Sequence, residues 1–138
     1  MQIVPSRRCV VVGVDGSPNS KAALQKAAAE AQLRHARLDV IRVVPPNGPW
    51  AFMGTATEWL RLRALVANAL PTAQHLTTRL RVVYGEPVAA LLSAARSADL
   101  LVIGAREGSG HGDSFGGTVV PAVLSGVSCR VIVCEGPA

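Results

Sequence analysis

Two segments of this chain carry residue types suited to binding a phosphorylated ligand. Asp15 follows a short apolar run, and a glycine-rich segment from Gly104 to Gly117 follows another. Glycines let backbone N–H groups approach phosphate oxygens closely, and a helix N-terminus adds partial positive charge. Thr118 stands where a helix is expected to begin and adds a hydroxyl. The spacing therefore predicts an anion cradle in the glycine-rich segment, facing the acid at Asp15.

Each of these residues also has an ordinary structural role. Asp15 is of a type that often caps a helix, and the glycines alone are compatible with a flexible surface loop. Ser17 is interpreted as a helix cap rather than a nucleophile, because no histidine is evidently paired with it. Pro121 lacks an N–H in the first turn of the expected helix, which would leave the Thr118 hydroxyl freer for a phosphate. The position of both segments behind predicted strands favours binding.

Strands and helices alternate along the chain, and they position these segments. The predicted strands are Cys9 to Val14, Leu38 to Val44, Leu80 to Tyr84, Leu100 to Ile103 and Val131 to Cys134. The predicted helices begin after Ser17, near Thr55, at Glu86-Pro87 and near Val119, the last one ending at Leu124. This order predicts one α/β domain over residues 1–138 with a doubly wound, mainly parallel five-stranded sheet. A ligand would bind beyond the carboxyl ends of its strands, where the strand order reverses.

Helical spacing also predicts which residues face the core. The expected inward-facing residues are Leu24, Ala27, Ala28 and Ala31 in the first helix, Trp59, Leu62, Val66 and Ala69 in the second, and Val88, Leu91, Leu92 and Ala95 in the third. The segment from Asn47 to Gly54 is expected to form a loop or lid. Its aromatic residues Trp50 and Phe52, together with Trp59, are interpreted as packing beneath the loop rather than covering a ligand.

Charge and composition exclude several classes of protein. The formal net charge is +5, and arginine carries almost all of it. The arginines are scattered and do not alternate with stacking aromatics, which argues against nucleic-acid binding. No stretch approaches the roughly 18 apolar residues that a membrane span needs. Ser6-Arg7-Arg8 looks like the start of a twin-arginine export signal, but the apolar run behind it ends at Val14 and is too short. A cytoplasmic location is expected.

The cysteines and histidines predict neither a metal site nor a disulfide. Cys9, Cys129 and Cys134 are odd in number, form no C-x-x-C and lie in or beside apolar runs. They are expected to be reduced and mostly structural, with a redox role for Cys134 left open. The three histidines show no metal-ligand spacing.

Three stretches resemble the universal stress protein family. They are V-V-V-G-V-D-G-S (Val10 to Ser17), D-L-L-V-I-G (Asp99 to Gly104) and G-T-V-V-P-A-V-L-S-G-V-S-C-R-V-I-V (Gly117 to Val133). The resemblance covers essentially the whole chain and is weakest between Pro45 and Thr78. It implies an adenine nucleotide α-hydrolase-like fold with strand order 3-2-1-4-5. It also implies a stress-response protein that binds ATP or another adenine nucleotide, with or without Mg²⁺.

The nucleotide loop of that family is only partly present. Binding members carry Gly, two residues, Gly, nine residues, then Gly-Ser or Gly-Thr. Here Gly104 and Gly117-Thr118 match, whereas Glu107 replaces the middle glycine and Gly108 follows it directly. A carboxylate beside phosphates costs about 1 kcal/mol or more, although it could also hold Mg²⁺. Nucleotide binding is favoured over its loss, and a preference for AMP or ADP is left open.

The resemblance implies roles for individual residues. Asp15 would meet the ribose hydroxyls or a metal-bound phosphate, and Val43 would offer backbone groups to the adenine. The expected binding set is Asp15, Ser17, Val43, Gly104, Arg106, Gly108, Gly117, Thr118 and Val119. Family members commonly pair their last strands in homodimers, which makes Val131 to Cys134 the expected dimer edge.

Three function classes remain compatible with the sequence. A nucleotide-binding stress regulator is favoured over a nucleotide-free dimeric interaction module of the same fold and over a slow ATPase. Neither G-x-x-x-x-G-K-[ST] nor a G-x-G-x-x-G after the first strand is present. No general base is evidently placed to activate water. The protein is therefore expected not to be an enzyme, with slow hydrolysis left open.

Overall fold

The secondary structure alternates between strands and helices, as predicted. The computed structural model describes residues 8–14, 18–44, 55–70, 76–106 and 119–136. Its elements are β1 (Cys9–Val14), α1 (Pro18–Arg34), β2 (Arg37–Val44), α2 (Thr55–Ala69), β3 (Thr78–Tyr84), α3 (Pro87–Ala95), β4 (Leu100–Arg106), α4 (Val119–Gly126) and β5 (Arg130–Gly136). Within these ranges, no helix is long and apolar enough to cross a membrane.

The five strands form one parallel sheet in the order β3-β2-β1-β4-β5, which confirms the predicted topology. The chain moves outward from β1 through β2 to β3, then returns to place β4 on the other side of β1. Gly13 of β1 accordingly lies between Ile41 of β2 and Ile103 of β4. The strand order therefore reverses between β1 and β4.

Two hydrophobic layers cover the sheet, one on each face. All six residues of β1 are buried, because alternate side chains of this central strand enter opposite layers. Val10, Val12 and Val14 pack with α1 and α2. Cys9 and Val11 pack with α3 and α4. The continuous apolar run of β1 thus gives the strand the two buried faces that a doubly wound sheet requires.

The predicted helix faces are confirmed except at one position. The inward-facing residues of α1 are buried, as are Leu62 and Ala69 of α2 and Leu91 and Ala95 of α3. Trp59 was the wrong prediction, since 39% of its surface is exposed. The Arg63 guanidinium lies 5.7 Å from the Trp59 ring centroid, so a cation rather than the core covers this indole.

Helix ends follow local signals. Glu86 caps α3 by accepting hydrogen bonds from the N–H groups of Val88 (3.2 Å) and Ala89 (2.8 Å). α2 ends at Ala69, two residues before Pro71. α4 continues past the predicted end at Leu124 to Gly126, where a Cβ would lie 3.0 Å from Leu92 Cδ1 of α3. The loop from Asn47 to Gly54 lies outside the described residues.

β4 is longer than predicted. Gly104, expected to open the glycine-rich loop, belongs to the strand, as do Ala105 and Arg106. Their backbones pair with β5, from Gly104 opposite Cys134 to Arg106 opposite Gly136. Pairing with a strand distant in sequence therefore extends β4 into residues whose local composition favours a loop.

Candidate functional site

The carboxyl edge of the sheet has a step between β1 and β4. In the described part of the sheet, β4 pairs with β1 only as far as Gly13 opposite Ile103. β4 then runs three residues further, paired with β5 alone. β1 itself ends at Val14. This step, which we call the switch-point crevice, is where a doubly wound sheet binds its ligands.

Two helix N-termini flank the switch-point crevice from opposite faces of the sheet. α1 follows β1 and packs in one hydrophobic layer, whereas α4 belongs to the other layer and begins at Val119. A helix that follows a parallel strand begins at the carboxyl edge, so the partial positive charges of both helices lie there.

The first turns of α1 and α4 contain no acidic residue, whereas α2 has Glu58 in its first turn. No first-turn carboxylate therefore offsets the dipoles of α1 and α4, which favours an anion at this edge. Asp15, directly after β1, is the acid nearest to α1 in the sequence.

Four residues of the expected binding set fall within the described ranges. Val43 lies one residue beyond Arg42, the partner of Val14 in β1, and its side chain is fully buried. The whole residue is 0% exposed, and its carbonyl oxygen accepts a hydrogen bond from Arg42 Nη1 at 3.4 Å. Gly104 and Arg106 are the first and third residues of the β4 extension. Val119 begins α4.

The other five members of the expected set lie outside the described residues. They are Asp15, Ser17, Gly108, Gly117 and Thr118. Asp15 directly follows the last residue of β1, and Thr118 directly precedes the first residue of α4. The topology thus brings the neighbours of both predicted segments to one edge, while the individual contacts remain predictions.

Sequence reasoning missed a salt bridge at the end of β2. The Arg42 guanidinium donates through Nε to Glu58 Oε2 at 3.3 Å, and Arg61 Nη1 lies 3.6 Å from Glu58 Oε1. Glu58 stands three residues after Thr55, at the spacing of a capping box, and its side chain ties α2 to β2. The available signal was Arg42 itself, a single charged residue in the apolar second half of a strand.

The three cysteines are free thiols with raised pKa values. Burial, and then the hydrogen bond to Asp39, raises the pKa of Cys9 to about 11. Burial also raises the pKa of Cys129 and of Cys134. A raised pKa suppresses the thiolate, which is the reactive form, so these thiols are poor nucleophiles at neutral pH. Among the described residues, no group of three or more His, Cys, Asp or Glu could hold a metal ion.

The model of the universal stress protein family matches residues 6–135. The chain belongs to this family. Universal stress protein Rv1996 of Mycobacterium tuberculosis is 42% identical over 69 residues, which cover 47% of this chain and 22% of that protein. Rv2005c of the same organism is 28% identical over 137 residues, covering 90% of this chain and 46% of that protein. The chain thus spans less than half the length of these mycobacterial relatives.

Other relatives match this universal stress protein over nearly their whole length. One from Thermus aquaticus is 29% identical over 138 residues, covering 91% of this chain and 97% of that protein. A universal stress protein crystallised in complex with cAMP has a TM-score of 0.73 and 29% identity, covering 94% of this chain and 98% of that one. The Archaeoglobus fulgidus protein in complex with dAMP shares the fold, with a TM-score of 0.66 and 19% identity over 94% of this chain and 98% of that one.

Proposed function

We propose that this universal stress protein binds an adenine nucleotide in the switch-point crevice and acts as a non-catalytic stress-response regulator. The observation that carries the proposal is the step between β1 and β4, flanked by two helix N-termini without first-turn acids. The neighbour crystallised with cAMP supports it, because that protein has the same fold and 29% sequence identity over almost the whole chain.

The proposed binding mode assigns a different part of the nucleotide to each side of the crevice. The Val43 backbone would meet the adenine, and Asp15 would accept hydrogen bonds from the ribose hydroxyls. Gly104, Gly117 and Thr118 would place N–H groups and a hydroxyl around the phosphates, beside the N-terminus of α4. ATP, ADP and AMP all fit this chemistry, with Mg²⁺ as a possible bridge to the phosphates.

The regulatory role follows from what binding would change. A nucleotide in this crevice would contact the segments after β1 and β4 together, so that bound and free forms present different loop surfaces to a partner. A slow ATPase is the competing proposal. It requires a general base, and the sequence offers none that is evidently placed for that role.

The first experiment measures the melting temperature with and without nucleotide. A ligand that binds only the folded state at a hundred times its Kd adds about 2.7 kcal/mol of stability, or roughly 10 °C for a domain of this size. We expect such a shift with millimolar MgATP, ADP or AMP. Asp15→Ala should remove most of it. Glu30→Gln, which removes a carboxylate from the C-terminal half of α1, is the matched control and should keep the shift.

Two results would overturn the proposal. One is the absence of any melting shift at millimolar nucleotide, together with no nucleotide released when the native protein is denatured. The other is phosphate release from ATP that is lost in Asp15→Ala but retained in Glu30→Gln, which would make the protein an ATPase. A cytoplasmic location and a homodimer through β5 belong to the same proposal.

A further inference from the structure

A second cleft lies on the face of the sheet that α3 covers only in part. Its volume is about 210 Å³. Its floor comes from β2 and the edge strand β3, and its wall from α3 and the residues after it. The lining residues are Arg37, Asp39, Ile41, Arg79, Arg81, Val83, Ala90, Ser93, Ala94 and Ser97. We call this the arginine cleft.

The charges of the arginine cleft do not balance. Three guanidinium groups line it against one carboxylate, that of Asp39. Asp39 is 4% exposed, and both of its carboxylate oxygens already accept hydrogen bonds. Its Oδ1 accepts from Arg37 Nε at 2.8 Å, and its Oδ2 accepts from Arg37 Nη2 at 3.2 Å and from Cys9 Sγ at 3.3 Å. Arg37 and Asp39 therefore neutralise each other.

The two remaining arginines, Arg79 and Arg81, are exposed and have no acidic partner among the described residues. Neither Arg79 nor Arg81 has an ion pair or a side-chain hydrogen bond with any residue in the described ranges. They occupy alternate positions of β3, so they project from the same face of the sheet about 7 Å apart. A guanidinium fork matches the oxygens of a phosphate, and two of them can bind one phosphate from both sides.

The rest of the lining combines a small apolar floor with two hydroxyl groups. Val83, Ala90 and Ala94 are partly exposed and form this floor beside Arg81, above the buried Ile41. The exposed side chains of Ser93 and Ser97 stand on the wall. The cleft is smaller and more polar than a typical pocket for an organic ligand, so the two guanidinium groups supply most of the binding and the floor adds contact with an uncharged body.

We propose that the arginine cleft binds a small organic phosphate monoester. Arg79 and Arg81 hold its phosphate, and its uncharged body lies on the apolar floor. This site is separate from the switch-point crevice. Arg37 and Asp39 lie in the first half of β2, and Arg79 and Arg81 lie no further along β3 than its central residue, whereas the crevice lies beyond the carboxyl ends of β1 and β4. The arginine cleft would therefore take its ligand independently of the nucleotide proposed for the crevice.

The test uses phenyl phosphate as the probe, titrated into isotopically labelled protein and followed by two-dimensional NMR at constant ionic strength. We expect saturable shifts of backbone amides in β3 and in the last turn of α3. Inorganic phosphate, which lacks the body, should bind about tenfold more weakly. Equal affinity for the two probes, or shifts scattered over the surface arginines without saturation, would overturn the proposal.

Paired variants separate the cleft from general cationic attraction. R79Q/R81Q should weaken phenyl phosphate binding tenfold or more, given roughly one decade for each charged hydrogen-bonding pair. K21Q/R63Q removes the same charge from α1 and α2, on the other face of the sheet, and should bind like the wild type. The single variant R81Q serves if the double variant does not fold.

A nucleotide control decides whether the two sites are distinct. The melting shift caused by AMP should be the same in R79Q/R81Q as in the wild type. If R79Q/R81Q binds phenyl phosphate as the wild type does, the cleft is not its site. If it loses the AMP shift instead, the arginines belong to the nucleotide site and the separate cleft is refuted.

Discussion

Cys9 is held in a small polar cluster at the start of the central strand. Its thiol donates to Asp39, and its backbone N–H donates to Asp99 Oδ2 at 2.8 Å. Burial and the neighbouring Asp39 carboxylate both disfavour a thiolate, which raises the pKa of Cys9 from 9.0 to about 11. The folded protein therefore binds the Cys9 proton more tightly than the unfolded chain does.

This difference predicts a loss of stability at alkaline pH. Below pH 9 the thiol is protonated in both states, and between pH 9 and 11 only the unfolded chain releases the proton, so the free energy of unfolding falls. At pH 10 the loss amounts to about 1 kcal/mol. Urea unfolding of the wild type and of Cys9→Ala between pH 7 and 10.5 measures it. Cys129 and Cys134 are present in both proteins, so their titration cancels. Parallel pH profiles for the two proteins would contradict the assignment.

Glu107 is the residue that most limits the proposed nucleotide site. It replaces the middle glycine of the loop pattern and adds both a negative charge and a Cβ. Glu107→Gly should tighten ATP binding about fivefold or more, which corresponds to removing about 1 kcal/mol of repulsion. Isothermal titration calorimetry measures this.

Glu107→Gln distinguishes the two causes, since it removes the charge and keeps the Cβ. Affinity gained in both variants assigns the effect to charge, and affinity gained in Glu107→Gly alone assigns it to close approach of the backbone. If neither variant binds ATP more tightly than the wild type, the loop pattern does not describe this site.

α1 ends in a way that the sequence did not reveal. His35 adopts a φ of 52°, in the left-handed region. Its N–H donates to the Gln32 carbonyl at 3.3 Å, and the Ala36 N–H donates to the Ala31 carbonyl at 2.8 Å. These two bonds are those of a Schellman cap, in which glycine normally takes the left-handed position.

His35→Gly should therefore stabilise the protein. Relief of the left-handed strain contributes about 1 kcal/mol, less the entropy that glycine adds to the unfolded chain. His35→Ala is the control, because it removes the imidazole and keeps the Cβ. Chemical unfolding should rank His35→Gly above both His35→Ala and the wild type. If His35→Gly is no more stable than His35→Ala, the left-handed backbone conformation at residue 35 is not strained.

The sequence predicts best the elements that are fully buried, because their burial requires a run of apolar residues within the element itself. β1 must be apolar on both faces, and its predicted bounds, Cys9 to Val14, are those of the structure. The end of β4 was missed, because Gly104–Arg106 are held by pairing with β5, which no local pattern encodes. Trp59 was misplaced since helical spacing shows which face a residue shares and not where the buried layer stops.

The candidate site also has one part that the sequence predicts and another that depends on residues distant in the sequence. The alternation of elements predicts a doubly wound sheet, and the family resemblance implies the strand order 3-2-1-4-5, which places the reversal between β1 and β4. The Arg42–Glu58 pair and the arginine cleft depend on side chains from elements that meet only in the folded sheet. A charged residue in an apolar strand, such as Arg42, indicates that a partner exists, but sequence spacing does not show which residue that partner is.

The two edges of the sheet differ in a way that bears on assembly. β3 presents Arg79 and Arg81, and charged side chains on an edge strand oppose pairing with another sheet. β5 is the opposite edge, and Val131, Ile132, Val133 and Cys134 are half-buried there. A second copy of this chain would cover that apolar strand, so we expect a homodimer through β5 and not through β3.

The charges at the two ends of β5 allow this dimer to be tested by exchange. In an antiparallel pairing across a two-fold axis, the exposed Arg130 of one copy lies near Glu135 of the second copy, and the contact occurs twice. R130E and E135R each place like charges at both contacts and should weaken the dimer roughly tenfold. R130E/E135R restores opposite charges, and its dimer affinity should lie within about threefold of that of the wild type. Light scattering over a concentration series measures all four proteins. A wild type that is monomeric at micromolar concentration, or a double variant no tighter than the singles, would show that β5 does not pair in this way.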